Sequence, residues 1–158
     1  MGTEIERKFL VRDRSVLDGA LGIAYRQGYL TTDPERTVRI RRAGDHAFVT
    51  IKGRSRGATR AEFEYAIPLE DVPDLLALCL RPVIAKTRYR IDHAGLTWEV
   101  DVFEGDNDGL VVAEVELPAA DTTVALPAWV GDDVTEDARY YNANLVEHPF
   151  RDWDRSRG

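Results

Sequence analysis

Apolar and polar residues alternate along most of this chain, and turn residues interrupt the alternation again and again. On a strand successive side chains point to opposite faces, so each alternating run has one apolar and one polar side. Eight such runs predict strands over residues 4–12, 25–31, 36–43, 46–53, 60–68, 83–92, 96–103 and 110–118. Gly44-Asp45, the stretch Gly53 to Gly57, Ala94-Gly95 and the stretch Gly105 to Gly109 supply the breaks. Helical signals are fewer. Ser15 to Leu21 predicts a short helix, and Pro68 to Leu80 a second one, acidic at its start and stopping before Pro82. Thr135 to Glu147 predicts a third, with Thr135 as N-cap, Pro149 as stop, and Ala138, Tyr141 and Leu145 as its apolar stripe. No linker, repeat or low-complexity segment divides the chain, so the expectation is one domain over residues 1–158. Its class is α+β, mainly antiparallel β.

The polar faces are unusual in being almost purely charged. Arg39 and Arg41 oppose Val38 and Ile40; Lys52 opposes Val49 and Ile51; Arg60, Glu62 and Glu64 oppose Phe63 and Tyr65. Lys86, Arg88 and Arg90 oppose Tyr89 and Ile91; Glu99 and Asp101 oppose Trp98 and Val100; Glu114 and Glu116 oppose Ala113 and Val115. The first strand adds Glu4, Glu6 and Lys8. An open sheet with one wet face would mix neutral polar residues among such charges. Eight strands are also enough to close a barrel, which removes the exposed edges. With the apolar face outward, the helices cover part of that surface and the charges line a lumen. Buried charges on that scale must pair, stay hydrated or bind ions. Carboxylates two residues apart on the first, fifth and eighth strands suit a hard divalent cation such as Mg²⁺ or Mn²⁺. The cations suit several phosphates at once. Together they describe a metal–polyphosphate site.

Composition narrows the classes without changing that picture. The chain has 158 residues, 44% of them hydrophobic, which fits one well-cored domain. A net charge of −7 argues against a nucleic-acid partner. The single cysteine, Cys79, lies in an apolar run and reads as packing. No basic leader precedes an apolar stretch and no run reaches the length of a membrane span, so the expected location is cytoplasmic with no membrane partner. His46, His93 and His148 have no metal-ligand spacing and receive no role.

Six motifs in order carry a family resemblance. Glu4-Ile5-Glu6-Arg7-Lys8 resembles the ExExK signature of the CYTH superfamily, the triphosphate tunnel metalloenzymes. Arg39-Ile40-Arg41, Lys52, Glu62-Phe63-Glu64, Lys86-Thr87-Arg88 and Glu114-Val115-Glu116 resemble the later motifs, and Asp137 to Asn142 the family's C-terminal helix. The resemblance covers nearly the whole chain and is strongest to the compact bacterial branch associated with inorganic triphosphate. It implies a closed eight-stranded antiparallel β-barrel tunnel and a metal-dependent triphosphatase. Class IV adenylate cyclase and thiamine triphosphatase remain alternatives within the family, and a non-catalytic polyphosphate- or nucleotide-binding module is the alternative outside enzymes.

Roles follow from that resemblance together with the charge pattern. Glu4, Glu6, Glu114 and Glu116 are the expected metal ligands, with Glu62 and Glu64 either joining them or orienting cations. Lys8, Arg39, Arg41, Lys52, Arg88 and Arg90 are expected to grip phosphate oxygens, neutralising charge on substrate and leaving group. Arg60 either joins them or sits at the mouth, and Glu99 and Asp101 are either weaker candidates of the same kind as Glu62 and Glu64 or purely structural. Lys86, crowded by other cations, approaches neutrality and can take a proton from water. Tyr29 resembles the family tyrosine that pairs with such a lysine. Trp98, Phe63 and Tyr65 are expected to pack under the helices. The expected partner is a small triphosphate, and the protein a monomer or homodimer.

Overall fold

A computed structural model describes residues 2–153. In chain order the strands are β1 (Thr3–Val11), β2 (Gly22–Thr31), β3 (Arg36–Ala43), β4 (His46–Gly53), β5 (Thr59–Ala66), β6 (Ile84–His93), β7 (Leu96–Phe103), β8 (Val111–Glu116) and β9 (Val130–Asp133). Two short α-helices, α1 (Val72–Ala77) and α2 (Asn142–Glu147), accompany them. Every strand pairing is antiparallel, in the order β5-β4-β3-β2-β6-β7-β8-β1-β9. The first eight close into a barrel because β1 also pairs with β5, through Thr3 with Ala61, Glu4 with Arg60 and Ile5 with Thr59. The second half of that β1 edge is taken by β9, at Phe9 and Val11. One long strand therefore seals the barrel and carries an extra strand.

The apolar sides of the strands face outward and are covered piecemeal. Phe9, Trp98, Val100, Ala113 and Val115 pack beneath Val130, with Trp129 edge-on to Trp98 at 5.6 Å between ring centres. Ile40 and Ala47 pack beneath Val72 and Leu76 of α1, and Cys79 beyond it. Gly28 of β2 makes that docking possible: a Cβ there would stand 2.7 Å from the Cys79 Cβ. A third cluster plugs one end of the barrel. Leu145 and Val146 of α2 sit on Tyr29, Ile84, Phe103 and Val112. Ile84, Phe103 and Val112 pair in register with Gln27, Lys86 and Asp101, so the plug lies directly over lumen residues. No helix among the described residues is long and apolar enough to cross a membrane.

Several sequence expectations need correction. The expected helix from Thr135 to Glu147 is instead a 3-10 turn at Ala138–Tyr140 followed by α2. Asp137 accepts the Arg139 N–H and Tyr141 is extended, which ends the first turn before the second begins. Thr135 therefore caps no helix; its hydroxyl accepts the Lys8 N–H instead. Phe63 and Tyr65 lie under no helix and are 47% and 58% exposed on the outer wall, because α1 reaches only the β2–β4 side. The four-residue β9 has no alternation to announce it, and Trp98 is covered by the segment leading into it rather than by a helix.

Candidate active site

Strand parity places the charged rows in the lumen as the sequence predicts. Two chambers meet there, of about 270 and 330 Å³, room for a small ligand and not for a macromolecule. Glu6, Arg39, Arg41, Lys52, Arg88 and Glu114 line both and so form a shared waist. Beyond the waist the charges segregate. Lys8, Arg54, Arg60 and Lys86 line one chamber, whose only lining acids among the described residues are Glu6 and Glu114 of the waist. Glu4, Glu62, Glu64, Glu99 and Glu116 line the other with no further base. Loop residues Arg54 to Ala58 and the segment Thr135 to Asn144 border the basic chamber.

Ion pairs hold many of these groups. Lys8 Nζ lies 2.8 Å from Glu114 Oε1, and Lys52 Nζ lies 2.7 Å from Glu4 Oε1 and 3.4 Å from Glu62 Oε2. Arg39 approaches Glu64 at 3.6 Å and donates to Thr50, which in turn donates to Glu64. Glu62 and Glu64 each stand in an ion pair with a lumen cation. Arg88 donates twice to Asp101, at 2.7 and 2.9 Å, a geometry that only a planar guanidinium offers a carboxylate. Asp101 also accepts from Lys86 Nζ at 2.7 Å. Asp101, whose role the sequence leaves open, is the buried anion around which Lys86 and Arg88 of β6 are arranged.

Electrostatics sort the groups further. Burial drives the Lys86 ammonium down to about 7, with Asp101 opposing and Arg88 and Arg41 adding to the fall. Crowding by cations, the sequence argument, is real but secondary to burial. Burial, then Arg39 and Arg88, lowers Arg41 to about 10. Despite burial, Lys86 and Arg88 keep Asp101 below the usual carboxylate range, and Lys8 and Arg88 keep Glu114 well below it. Glu6 behaves in the opposite way. Burial, then Glu114 and Glu4, pushes its carboxyl up to about 8. Glu6 and Glu116 stand opposite each other on β1 and β8, and neither forms a salt bridge among the described residues. Uncompensated carboxylates of this kind fit a divalent cation. No three acidic, histidine or cysteine side chains among the described residues converge tightly enough to hold one alone.

Two expected site residues stand differently. Arg90 is exposed, faces Glu99 near the end of β6, and lines neither chamber. Tyr29 lines the basic chamber but makes no hydrogen bond to Lys86 among the described residues. Lys86 Nζ instead reaches Asp101 and, at 2.9 Å, Asn142 Oδ1. Asn142 and its partner Gln27 are site residues that sequence reasoning missed, since a neutral amide carries no charge-pattern signal. Tyr25 was also missed: Arg41 and Arg88 lie over its ring at 4.9 and 4.8 Å.

Known proteins share this architecture. The CYTH domain model matches residues 2–150. An inorganic triphosphatase of Acetivibrio thermocellus is 46% identical over 97% of this chain and 99% of its own length. One from Nitrosomonas europaea is 39% identical over 91% of this chain and 97% of its own. The crystal structure of the inorganic triphosphatase NE1496 superposes with a TM-score of 0.64 at 36% identity, covering 92% of this chain and 95% of that one.

Proposed function

The chain belongs to the CYTH domain family, and on that premise we propose that it is a divalent-metal-dependent triphosphatase that splits inorganic triphosphate into diphosphate and phosphate. The observation that carries the reading is the convergence of Lys8, Arg39, Arg41, Lys52, Lys86 and Arg88 from four strands on one lumen that also presents uncompensated carboxylates. A small polyanion accompanied by a cation complements both halves of that lumen. The names of the full-length relatives support the same choice.

Each group then has a task. Arg39, Arg41 and Arg88 grip phosphate oxygens at the waist, and Lys8 and Lys52 neutralise the charge that moves onto the leaving diphosphate. Glu6 and Glu116, with Glu4 and Glu114 beside them, would hold Mg²⁺ or Mn²⁺, which supplies charge neutralisation on the phosphate oxygens. Lys86, poised near neutrality at physiological pH, takes the proton from the water whose oxygen bonds to phosphorus as the anhydride bond breaks. Tyr29 lines the same chamber as Lys86. A panel of inorganic triphosphate, thiamine triphosphate and nucleoside triphosphates, with Mg²⁺ and with Mn²⁺, tests the proposal. Phosphate release fastest from inorganic triphosphate is expected; cyclic AMP from ATP without phosphate release would replace it with a cyclase.

A further inference from the structure

We propose that Asn142, held in place by Gln27, is a positioning residue that aims the Lys86 amine into the basic chamber. This rests on the triphosphatase reading. The chain of contacts fixes every orientation in turn. Gln27, fully buried, accepts from Arg41 Nε at 2.9 Å through its carbonyl oxygen. Its amide nitrogen must then face outward, and it donates to Asn142 Oδ1 at 2.9 Å. A donor on that side obliges Asn142 to present oxygen, and the same oxygen accepts from Lys86 Nζ.

Lys86 is consequently held by two acceptors, Asp101 and Asn142. The ammonium form has three N–H bonds, of which these two acceptors take two. The neutral amine has two N–H bonds, both taken. Its lone pair is therefore left at the remaining tetrahedral position, toward the chamber that Lys86 lines. With Asp101 alone the amine would rotate about its last carbon bond, and the lone pair would have no fixed direction. Asn142 is also the first residue of α2, whose Leu145 and Val146 form the barrel plug. Docking of the C-terminal segment and orientation of the lysine are thereby one event. The charged groups that surround the amine are Asp101 of β7, Arg88 of β6, Arg41 of β3 and Glu114 of β8; Asn142 contributes only a dipole.

The test uses Asn142→Leu, which keeps volume without an acceptor, and Asn142→Asp, which keeps shape and adds charge. In Asn142→Leu, kcat for inorganic triphosphate should fall roughly ten- to a hundredfold while KM stays within about twofold. In Asn142→Asp the added anion favours the ammonium, so the rising limb of kcat should move about one unit toward higher pH. The Lys86 ¹³Cε resonance, followed in substrate-free protein and assigned with Lys86→Arg, should titrate upward by the same amount. An unchanged kcat in Asn142→Leu, or an unmoved Lys86 titration in Asn142→Asp, would overturn the positioning role. A wild-type protein that releases no phosphate would instead fell the triphosphatase reading, and the resonance would still decide the Lys86–Asn142 contact.

Discussion

Lys86 Nζ lies 2.7 Å from Asp101 Oδ2, with both side chains withdrawn from solvent. A lysine so placed would ordinarily be locked as an ammonium. Here the same carboxylate is shared with Arg88, and desolvation outweighs what remains of its pull. Asp101 stays ionised while Lys86 stays close to neutrality. The pair joins a fixed anion to a proton acceptor, and from it follow distinct expectations for Lys86 and for the clamping arginines.

Replacing Lys86 by alanine should lower kcat by roughly 10²- to 10⁴-fold, the usual worth of a general base, and added divalent metal should not restore it. Arg41→Ala should act mainly through KM, because that guanidinium is assigned to binding alone. Steady-state kinetics at saturating metal separate the two. The same kinetic signature in both variants would leave Lys86 as another clamp.

The lysine also sets a pH dependence of stability. Its folded value near 7 lies below the ordinary 10.5, so between those limits the unfolded chain binds more protons than the folded one. Stability should therefore rise with pH from about 7 toward 10.5. Thermal unfolding of Lys86→Met, compared with wild type across that window, should lack this rise. Parallel Tm curves for the two proteins would contradict it.

Metal binding should depend on Glu6 and Glu116 more than on ion-paired Glu4. Glu6→Gln and Glu116→Gln should weaken Mg²⁺ or Mn²⁺ binding measured by calorimetry, with part of the lost turnover recovered at higher metal concentration by mass action. Affinity equal to wild type in both would move the cation elsewhere in the lumen.

Two backbone positions give stability tests far from the chemistry. Gly28→Ala drives a Cβ against Cys79 and should destabilise by about 1–3 kcal/mol, loosening α1 from β2. Ala94 has a φ of 50° in the β6–β7 turn, next to Gly95 at 82°. Ala94→Gly should relieve that left-handed strain and stabilise by roughly 1 kcal/mol. Chemical denaturation reads both, and matching signs would refute one of them.

The barrel was legible because alternation of charge and apolar residues records which way each strand faces, independently of how strands pair. That is why Glu4, Lys8, Arg39, Lys86 and Glu114 were found on the lumen side from sequence. The same logic failed at Arg90, where parity is right but the side chain is exposed and lines neither chamber, and at Phe63 and Tyr65, where an apolar face has no cover. Segments whose conformation rests on side-chain caps were read as one helix, since Asp137 looks like any acidic residue until its bond to the Arg139 N–H is seen. Gln27 and Asn142 were invisible for a related reason. Their importance lies in which acceptor faces which donor, and that depends on residues more than 100 positions apart meeting in space.

The most direct test of the triphosphatase claim is ³¹P NMR of inorganic triphosphate incubated with the wild-type protein and Mg²⁺ or Mn²⁺. Equal molar amounts of diphosphate and orthophosphate should appear as triphosphate disappears, and Lys86→Ala should slow their appearance without changing their ratio. Triphosphate left intact with either metal would contradict the assignment.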